Sequence, residues 1–530
     1  MVVETGSARE TGGVRSGEKG FGLRDVLAGV GVALVLVPQS LAYAELAGLP
    51  AHRGLFVAAL APVAAAFLAS SPWLQTGPVA LTSLLTLGAL LPLAEAGTQE
   101  YVALAALLAL VVGAVRVVIG LFRLGWMAFL LSQPVLMGFT AAAAILIIGS
   151  QLPGAAGVQP PVEGVGSRAL WTLTHPGSWE GTSVGLSLVT AAIMVGSRRV
   201  HPAIPGVLLA SIVGWAFSVI TGYGGPQVGD VPADASFFTL YLPWTRLPAL
   251  IVPGIVIAMV GFAEAASVAQ TYATKERRPW DPNREFVSQG LANLTAGVVG
   301  GFPVGGSFSR SSLAYVTGAR TRWAGLVTGI SVLLFLPFSS VLAPLPTAIL
   351  SAVVISAVVK LIRFGPLVEL WRLSVIQAVI GWFTFVFTLV LAPHIEEAVI
   401  LAVLLALGVH VWRELSPGYT VRHVGDALHL EVGGVLWFGS APTLEKTLLN
   451  HLEDSRDAQR VVLHLGGLGR IDLTGALLLR QIRRDVEEAG MELELMEVPS
   501  HAHRILRQVL RWEPKEEAGL GGLEGGRRLP

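Results

Sequence analysis

The sequence predicts a polytopic α-helical membrane protein with 14 transmembrane segments in two inverted seven-span repeats, followed by a soluble α/β domain. Three observations support this fold class. Apolar stretches fill residues 27–412, and a membrane span needs about 20 apolar residues. Only 14% of the 530 residues are charged, whereas a soluble protein has about 25%. Two segments interrupted by Gly and Pro lie seven spans apart, and a repeat with an odd number of spans inverts its topology.

The spans are predicted from runs of apolar residues, several of them short or broken by Gly and Pro. The predicted segments lie near residues 26–44, 54–69, 77–93, 101–121, 127–150, 183–197, 204–222, 248–270, 287–302, 307–318, 323–343, 347–361, 373–392 and 395–412. With the N-terminus inside, the outer loops hold only Arg53, Arg168 and Arg246, and the other charged Lys and Arg clusters fall on inner segments. This asymmetry predicts cytoplasmic N- and C-termini.

Residues 21–413 form the predicted transmembrane domain, with repeats at about 21–222 and 248–413. The composition changes after Arg413, and residues 416–513 read as soluble α/β. Strands are predicted at 428–432, 461–465 and 492–497, and amphipathic helices at 443–452, 475–489 and 501–510. Residues 1–20 and 514–530 are predicted to be disordered.

The composition also excludes several kinds of site. The chain has no cysteine, which rules out disulfides and thiolate metal ligands. Its Lys+Arg and Asp+Glu totals are both 36, so the charge balance indicates no nucleic-acid partner. Residues 466–469 are glycine-rich but lack the Lys-Ser/Thr of a phosphate-binding loop. We therefore expect no metal, no cofactor and no enzymatic activity.

The third and tenth segments each open with an extended Pro/Gly stretch, at 71–78 and 301–310. Each leaves too few residues for a full span, and paired broken helices in two repeats indicate a transporter site near the membrane midplane. Helix N-termini facing each other there would bind an anion through unpaired N–H groups and the helix dipoles. The predicted site residues on these segments are Thr76, Gly77, Val79, Ser307, Phe308, Ser309 and Arg310.

Ionisable residues deep in a span are costly and tend to be functional. Arg310 would give the site a fixed positive charge. Glu264, in the eighth span, is predicted to accept a proton or bind a cation such as sodium; the competing interpretation is an internal salt bridge, with Arg310 as the candidate partner. In the first span, Pro38 is expected to break the helix, so that Gln39 and Tyr43 donate hydrogen bonds into the cavity; these two would otherwise only pack helices together.

Two polar stretches receive structural interpretations. Residues 281–285 are predicted to form a solvated loop that caps the following helix. In the sequence Asp472-Leu473-Thr474-Gly475, Thr474 is predicted to cap the helix that follows.

The chain resembles the SulP family of anion transporters over about residues 20–513. The resemblance is carried by Pro38-Gln39-Ser40-Leu41-Ala42-Tyr43-Ala44-Glu45-Leu46-Ala47-Gly48-Leu49-Pro50, and by the stretch from 281–285 to Gly306-Ser307-Phe308-Ser309-Arg310-Ser311. It implies a core domain (spans 1–4 and 8–11) that moves against a gate domain (spans 5–7 and 12–14), with the substrate between the third and tenth half-helices. It also implies a cytoplasmic STAS domain at the C-terminus and a homodimer.

In one respect the sequence departs from this resemblance. STAS domains that act as phosphorylation switches carry Asp-Ser-Ser/Thr-Gly, but here Leu473 occupies the phospho-acceptor position. Regulation by that route is therefore not expected.

The leading hypothesis is a secondary active, proton-coupled anion symporter in a bacterial inner membrane, with a dicarboxylate such as fumarate favoured over sulfate or bicarbonate. One alternative is an anion channel or exchanger without proton coupling, in which Glu264 would be structural. Another is a membrane-tethered sensor, which would bind an anion without transporting it.

Overall fold

The computed structural model describes residues 20–201, 204–229, 241–415, 418–454 and 458–512. It divides into two compact units, Met1–Leu404 and Leu405–Pro530. The predicted disorder at 1–20 and 514–530 concerns residues that, apart from Gly20, lie outside this description.

The first unit is built almost entirely of helices. They are α1 (Leu23–Leu46), α2 (Ala51–Leu68), α3 (Ala80–Leu90), α4 (Gln99–Leu121), α5 (Gln133–Ala156), α6 (Val165–Thr174), α7 (Gly181–Val200), α8 (Gly206–Thr221), α9 (Leu247–Glu276), α10 (Pro282–Val298), α11 (Phe308–Val316), α12 (Trp323–Phe335), α13 (Thr347–Val358), α14 (Phe364–Leu373), α15 (Val375–Val390) and α16 (Ile395–Leu415), which continues into the second unit. Two strands, β1 (Thr76–Gly77) and β2 (Gly305–Gly306), precede α3 and α11.

Each predicted segment coincides with one of these helices. Among the described residues, eight stretches are long and apolar enough to cross a membrane, and they contain α1, α2, α4, α5, α9, α12, α13 and α16. Four shorter apolar helices are α3, α7, α8 and α15. The more polar α10 and the nine-residue α11 fall in neither group. The multi-span helical architecture is confirmed, whereas the count of 14 crossings stays a prediction.

Pro38 does not break the first helix, contrary to the sequence prediction. Helix α1 runs without interruption from Leu23 to Leu46 with Pro38 inside it. The Ser40 hydroxyl, two residues later, donates to the Val37 carbonyl at 2.7 Å.

Glycines allow α4 and α10 to pack closely. A Cβ at Gly113 would lie 2.7 Å from the Leu294 nitrogen, and one at Gly290 would lie 2.8 Å from the Val117 nitrogen. These distances leave no room for a side chain, so the helices meet backbone to backbone, as small residues allow in membrane interfaces. This contact fixes α10 behind the two short strands.

Two further helices, α6 and α14, were not predicted. Each has ten residues, too few for a span, and exposes most of its side chains. They occupy corresponding places in the two predicted repeats, after α5 and after α13, where the chain connects longer apolar helices.

The second unit contains a sheet and three helices. The sheet has the order β3-β4-β6-β8, formed by Tyr419–Val424, Ala427–Val432, Arg460–His464 and Glu492–Met496. The β3–β4 pair is antiparallel and the others are parallel. A parallel pair, β5 (Gly434–Leu436) with β7 (Leu468–Ile471), accompanies it. Helices α17 (Ala441–Asp454), α18 (Leu473–Glu488) and α19 (Ser500–Leu510) complete a buried apolar core with the sheet.

Candidate anion-binding site

The two interrupted segments meet as a short antiparallel ribbon. Thr76 pairs with Gly306 and Gly77 with Gly305. The Ser307 amide donates to the Gln75 carbonyl at 3.0 Å, and the Gln75 amide donates to the Ser311 hydroxyl at 2.9 Å. Because α3 and α11 begin directly after these strands, their N-termini lie on either side of the ribbon. The predicted pair of broken helices is present.

Arg310 lies at this crossing and is only 1% exposed. Its Nη1 donates to the Gln39 Oε1 at 3.3 Å, whereas Nε and Nη2 are buried without a hydrogen-bond partner. A Cβ at Gly77 would lie 3.5 Å from Nη2, so the unpaired nitrogen faces the ribbon. A buried donor without an acceptor costs about 1–3 kcal/mol, and more when charged. The guanidinium thus presents unused donors to the space between the half-helices.

Gln39 has a contact that was not predicted. Its amide oxygen accepts from Arg310 and holds that side chain in place, while donation by its amide nitrogen into the cavity stays a prediction. Tyr43, one turn later on α1, is 5% exposed and interacts electrostatically with both Arg310 and Glu264. The side chains predicted on the first span are thus beside the predicted cation.

Glu264 also belongs to this group. It lies in α9, is partly exposed, and interacts electrostatically with Arg310. The structure therefore places a carboxylate, a phenol and a guanidinium within mutual electrostatic range.

Thr76, Val79 and Ser307 are buried at the half-helix N-termini. The Thr76 hydroxyl accepts from the Gln289 Nε2 at 2.6 Å, which leaves its own proton free to donate. Ser307 is the N-cap of α11, with its hydroxyl accepting from the Arg310 amide at 3.5 Å and lying 3.3 Å from the Ser309 hydroxyl.

Phe308 and Ser309 are the exposed members of the predicted set, with Phe308 56% exposed. Their backbone amides belong to the first turn of α11, where a helix provides no internal acceptor. The strand amides form the hydrogen bonds of the ribbon, whereas the Phe308 and Ser309 amides do not.

A polar face of α10, not predicted from the sequence, holds both extended segments. Glu285 Oε2 accepts from the Ser70 and Ser71 amides at 3.0 and 2.9 Å. Asn293 accepts from the Val304 amide at 2.9 Å and donates to its carbonyl at 3.2 Å. With Gln289, these residues are spaced four apart and share one helix face, a periodicity that could have revealed them.

Part of the prediction for 281–285 is therefore wrong. Asp281 does cap α10, because its carboxylate accepts from the Asn283 and Arg284 amides. Glu285, however, is fully buried rather than solvated. Asp281 and Glu285 are both acidic residues near the helix start, so composition alone does not predict that the first is exposed and the second is buried.

Arg116 is a second buried cation, also not predicted. It is 0% exposed in α4 and donates to the carbonyls of Ala258, Val304 and Ile257 at 3.1, 2.9 and 3.2 Å. It thereby joins α4 and α9 to the residue that precedes β2. A lone arginine in an apolar run was the available sequence signal.

In the C-terminal unit, the prediction that Thr474 caps the following helix is wrong. Asp472 is the N-cap of α18, and its carboxylate accepts from the Gly475 amide at 2.8 Å. Asp and Thr are both preferred at an N-cap. The helix begins at Leu473, so the N-cap is the earlier residue, Asp472. Leu473 at the phospho-acceptor position is 58% exposed and carries no hydroxyl.

Comparisons with known proteins agree with this architecture. Residues 23–384 match the model of the sulfate permease family, and residues 419–509 match the STAS domain. A probable sulfate transporter of Mycobacterium tuberculosis is 30% identical over 91% of this chain and 90% of its own length. A chloroplastic sulfate transporter of Arabidopsis thaliana is 31% identical over 75% of this chain and 59% of its own length.

Solved structures show the same fold. The murine anion transporter Slc26a9 in its inward-facing state superimposes with a TM-score of 0.83 at 19% identity, covering 92% of this chain and 88% of that one. The transmembrane domain of the cyanobacterial bicarbonate transporter BicA gives a TM-score of 0.62 at 22% identity, covering 73% and 97%. With the family model matching well over half of the sequence, the chain belongs to the sulfate permease family, a family of membrane anion transporters, and carries a C-terminal STAS domain.

Proposed function

We propose that this protein transports a small anion by alternating access, binding it between the N-termini of α3 and α11. The observation that carries the proposal is the Arg310 guanidinium, buried beside Gly77 with two unpartnered nitrogens. An anion placed there would satisfy those donors. It would also meet the positive ends of two helices, each favouring negative charge by about 0.3–1 kcal/mol or more when buried.

We propose sulfate as the first substrate to test. The relatives described above are named as sulfate transporters, and a tetrahedral dianion suits a site with several convergent donors. The dicarboxylate favoured from the sequence has no support from these relatives. Fumarate, bicarbonate and chloride remain as comparison anions.

We further propose that Glu264 couples transport to protons. Its electrostatic interaction with Arg310 supports this, because protonation of Glu264 would change the charge beside the anion. In the alternative, an uncoupled channel or exchanger, Glu264 would only balance the charge of Arg310. A binding-only sensor is the third candidate. A homodimer in a bacterial inner membrane with both termini in the cytoplasm remains part of the proposal.

The binding site is tested with Arg310→Met in the purified full-length chain. We expect sulfate affinity to fall by at least tenfold, because the substitution removes the charge and every guanidinium donor while keeping an unbranched side chain. Arg168→Met, which removes an exposed arginine from α6, serves as the control. Unchanged affinity in a folded Arg310→Met protein would contradict the proposed site.

The coupling and the substrate are tested together in proteoliposomes. Uptake of labelled sulfate, fumarate, bicarbonate and chloride is measured with and without an acidic external solution. One anion should accumulate, its uptake should rise with the gradient, and Glu264→Gln should abolish that rise. Uptake that ignores the gradient favours the uncoupled alternative, and anion binding without flux favours the sensor.

A further inference from the structure

Arg116 has an unusual environment for a buried cation. Its Nε, Nη1 and Nη2 all donate to backbone carbonyls, those of Ala258, Val304 and Ile257. Within the described part of the chain, no carboxylate interacts with it electrostatically. Arg310 differs, because it interacts electrostatically with Glu264. The carbonyls satisfy the hydrogen bonds of Arg116 and stabilise the cation through their dipoles, but they do not neutralise its net charge.

An uncompensated charge in a membrane protein is expensive. Hydrogen bonds to carbonyls do not by themselves require a charge, since the neutral amide of Asn293 also donates to the Val304 carbonyl. A charge that is kept at such a cost, with its hydrogen bonds directed to neutral groups, is expected to act on something charged that the protein binds.

Arg116 lies one layer behind the ribbon. A Cβ at Gly261 would be 2.6 Å from its Nη2, and a Cβ at Gly305 would be 3.7 Å from the Gly261 carbonyl oxygen. The guanidinium also holds the Val304 carbonyl, immediately before β2. Arg116 is therefore close to the proposed anion without lining its cavity.

We propose that Arg116 is a positioning and charge-selecting residue: its uncompensated charge strengthens anion binding in proportion to the anion's charge. This inference rests on the proposed site between α3 and α11. A fixed positive potential lowers the free energy of a bound dianion by twice as much as that of a bound monoanion. When the potential is lost, the fold-loss in dianion affinity is therefore the square of the fold-loss in monoanion affinity. For an assumed separation of roughly 10 Å and an effective dielectric constant of about 20, one charge changes the affinity about 15-fold for a monoanion and about 250-fold for a dianion.

Asn293 provides the matched control. It holds both the N–H and the C=O of Val304 without carrying a charge. Asn293→Ala therefore loosens the same residue and leaves the potential unchanged. A purely structural effect at Val304 should weaken monoanions and dianions by the same factor.

The experiment measures the affinities of the purified full-length protein for chloride and sulfate at constant ionic strength, in wild type, Arg116→Met and Asn293→Ala. In Arg116→Met, the fold-loss for sulfate should be about the square of the fold-loss for chloride. Asn293→Ala should give equal fold-losses. Equal losses in Arg116→Met, or no loss, would overturn the inference.

Two further results keep the outcomes distinct. If Arg116→Met does not fold, Arg116→Lys is measured in its place. Because lysine keeps the charge, the ratio of sulfate to chloride affinity should stay within about twofold of wild type. A changed ratio overturns the inference. If the wild-type protein binds anions normally and Arg310→Met does so as well, the proposed site itself fails, whatever Arg116 does.

Discussion

Glu285 is predicted to be one of the side chains that most stabilise the membrane unit. Its Oε2 accepts from two consecutive amides, Ser70 and Ser71, just after the end of α2, and from the Trp280 indole nitrogen at 3.4 Å. The perturbation is Glu285→Ala, compared with Glu285→Gln. The first removes the acceptor, and the second keeps a neutral acceptor of the same shape.

The magnitude follows from these contacts. A buried amide left without an acceptor costs about 1–3 kcal/mol. Because two amides lose their acceptor, Glu285→Ala should lower the free energy of unfolding by about 3–5 kcal/mol. Glu285→Gln should lose less, about 1–2 kcal/mol, because its amide oxygen still accepts from both amides.

The assay is reversible unfolding in mixed micelles with increasing SDS, followed by tryptophan fluorescence. Glu163→Ala is the control, because Glu163 is exposed and its loss should leave the midpoint within about 0.5 kcal/mol of wild type. The same unfolding midpoint for Glu285→Ala and Glu163→Ala would contradict a stabilising role of Glu285. Equal instability of Glu285→Gln and Glu285→Ala would contradict the role of its acceptor oxygen.

Three further outcomes are expected. Gly113→Ala should destabilise the α4–α10 contact by about 1–3 kcal/mol, measured by the same unfolding assay, whereas Gly185→Ala, which meets open space, should not. Asp472→Ala should lower the stability of the C-terminal unit by about 1 kcal/mol, and Asp472→Asn should recover most of it in a denaturant titration. The Arg460 hydrogen bond lowers the pKa of Asp426. The pair therefore stabilises the fold above the usual carboxyl pKa, and this stabilisation is lost as the pH falls through the lowered pKa. Arg460→Met should raise the pKa of Asp426 in an NMR titration, and an unchanged pKa would contradict the assignment.

The residues that sequence reasoning found share a local signal. Gly and Pro interrupt the third and tenth segments, Glu264 is a charge within an apolar run, and Arg310 follows the second interruption. Those signals predicted the two broken helices and the cation beside them. Pro38 was mispredicted for a physical reason. The local sequence around a proline in an apolar run is the same whether or not neighbouring groups keep the helix continuous.

The contacts that it did not find join residues far apart in the sequence. Gln39 accepts from Arg310 across 271 residues of sequence, and Glu285 binds the Ser71 amide across 214. Arg116 reaches Val304 across 188 residues. No window of neighbouring residues contains both members of such a pair.

Hydropathy and glycine or proline content act over a few turns of chain. They were enough to predict the membrane class, the longer apolar helices, the broken third and tenth segments and the soluble α/β domain. Which polar groups are paired became known from the three-dimensional arrangement of the helices. It left Arg310 with unused donors, buried Glu285 against two amides and surrounded Arg116 with carbonyls, since the partner of a buried polar group depends on helices brought together from distant parts of the chain.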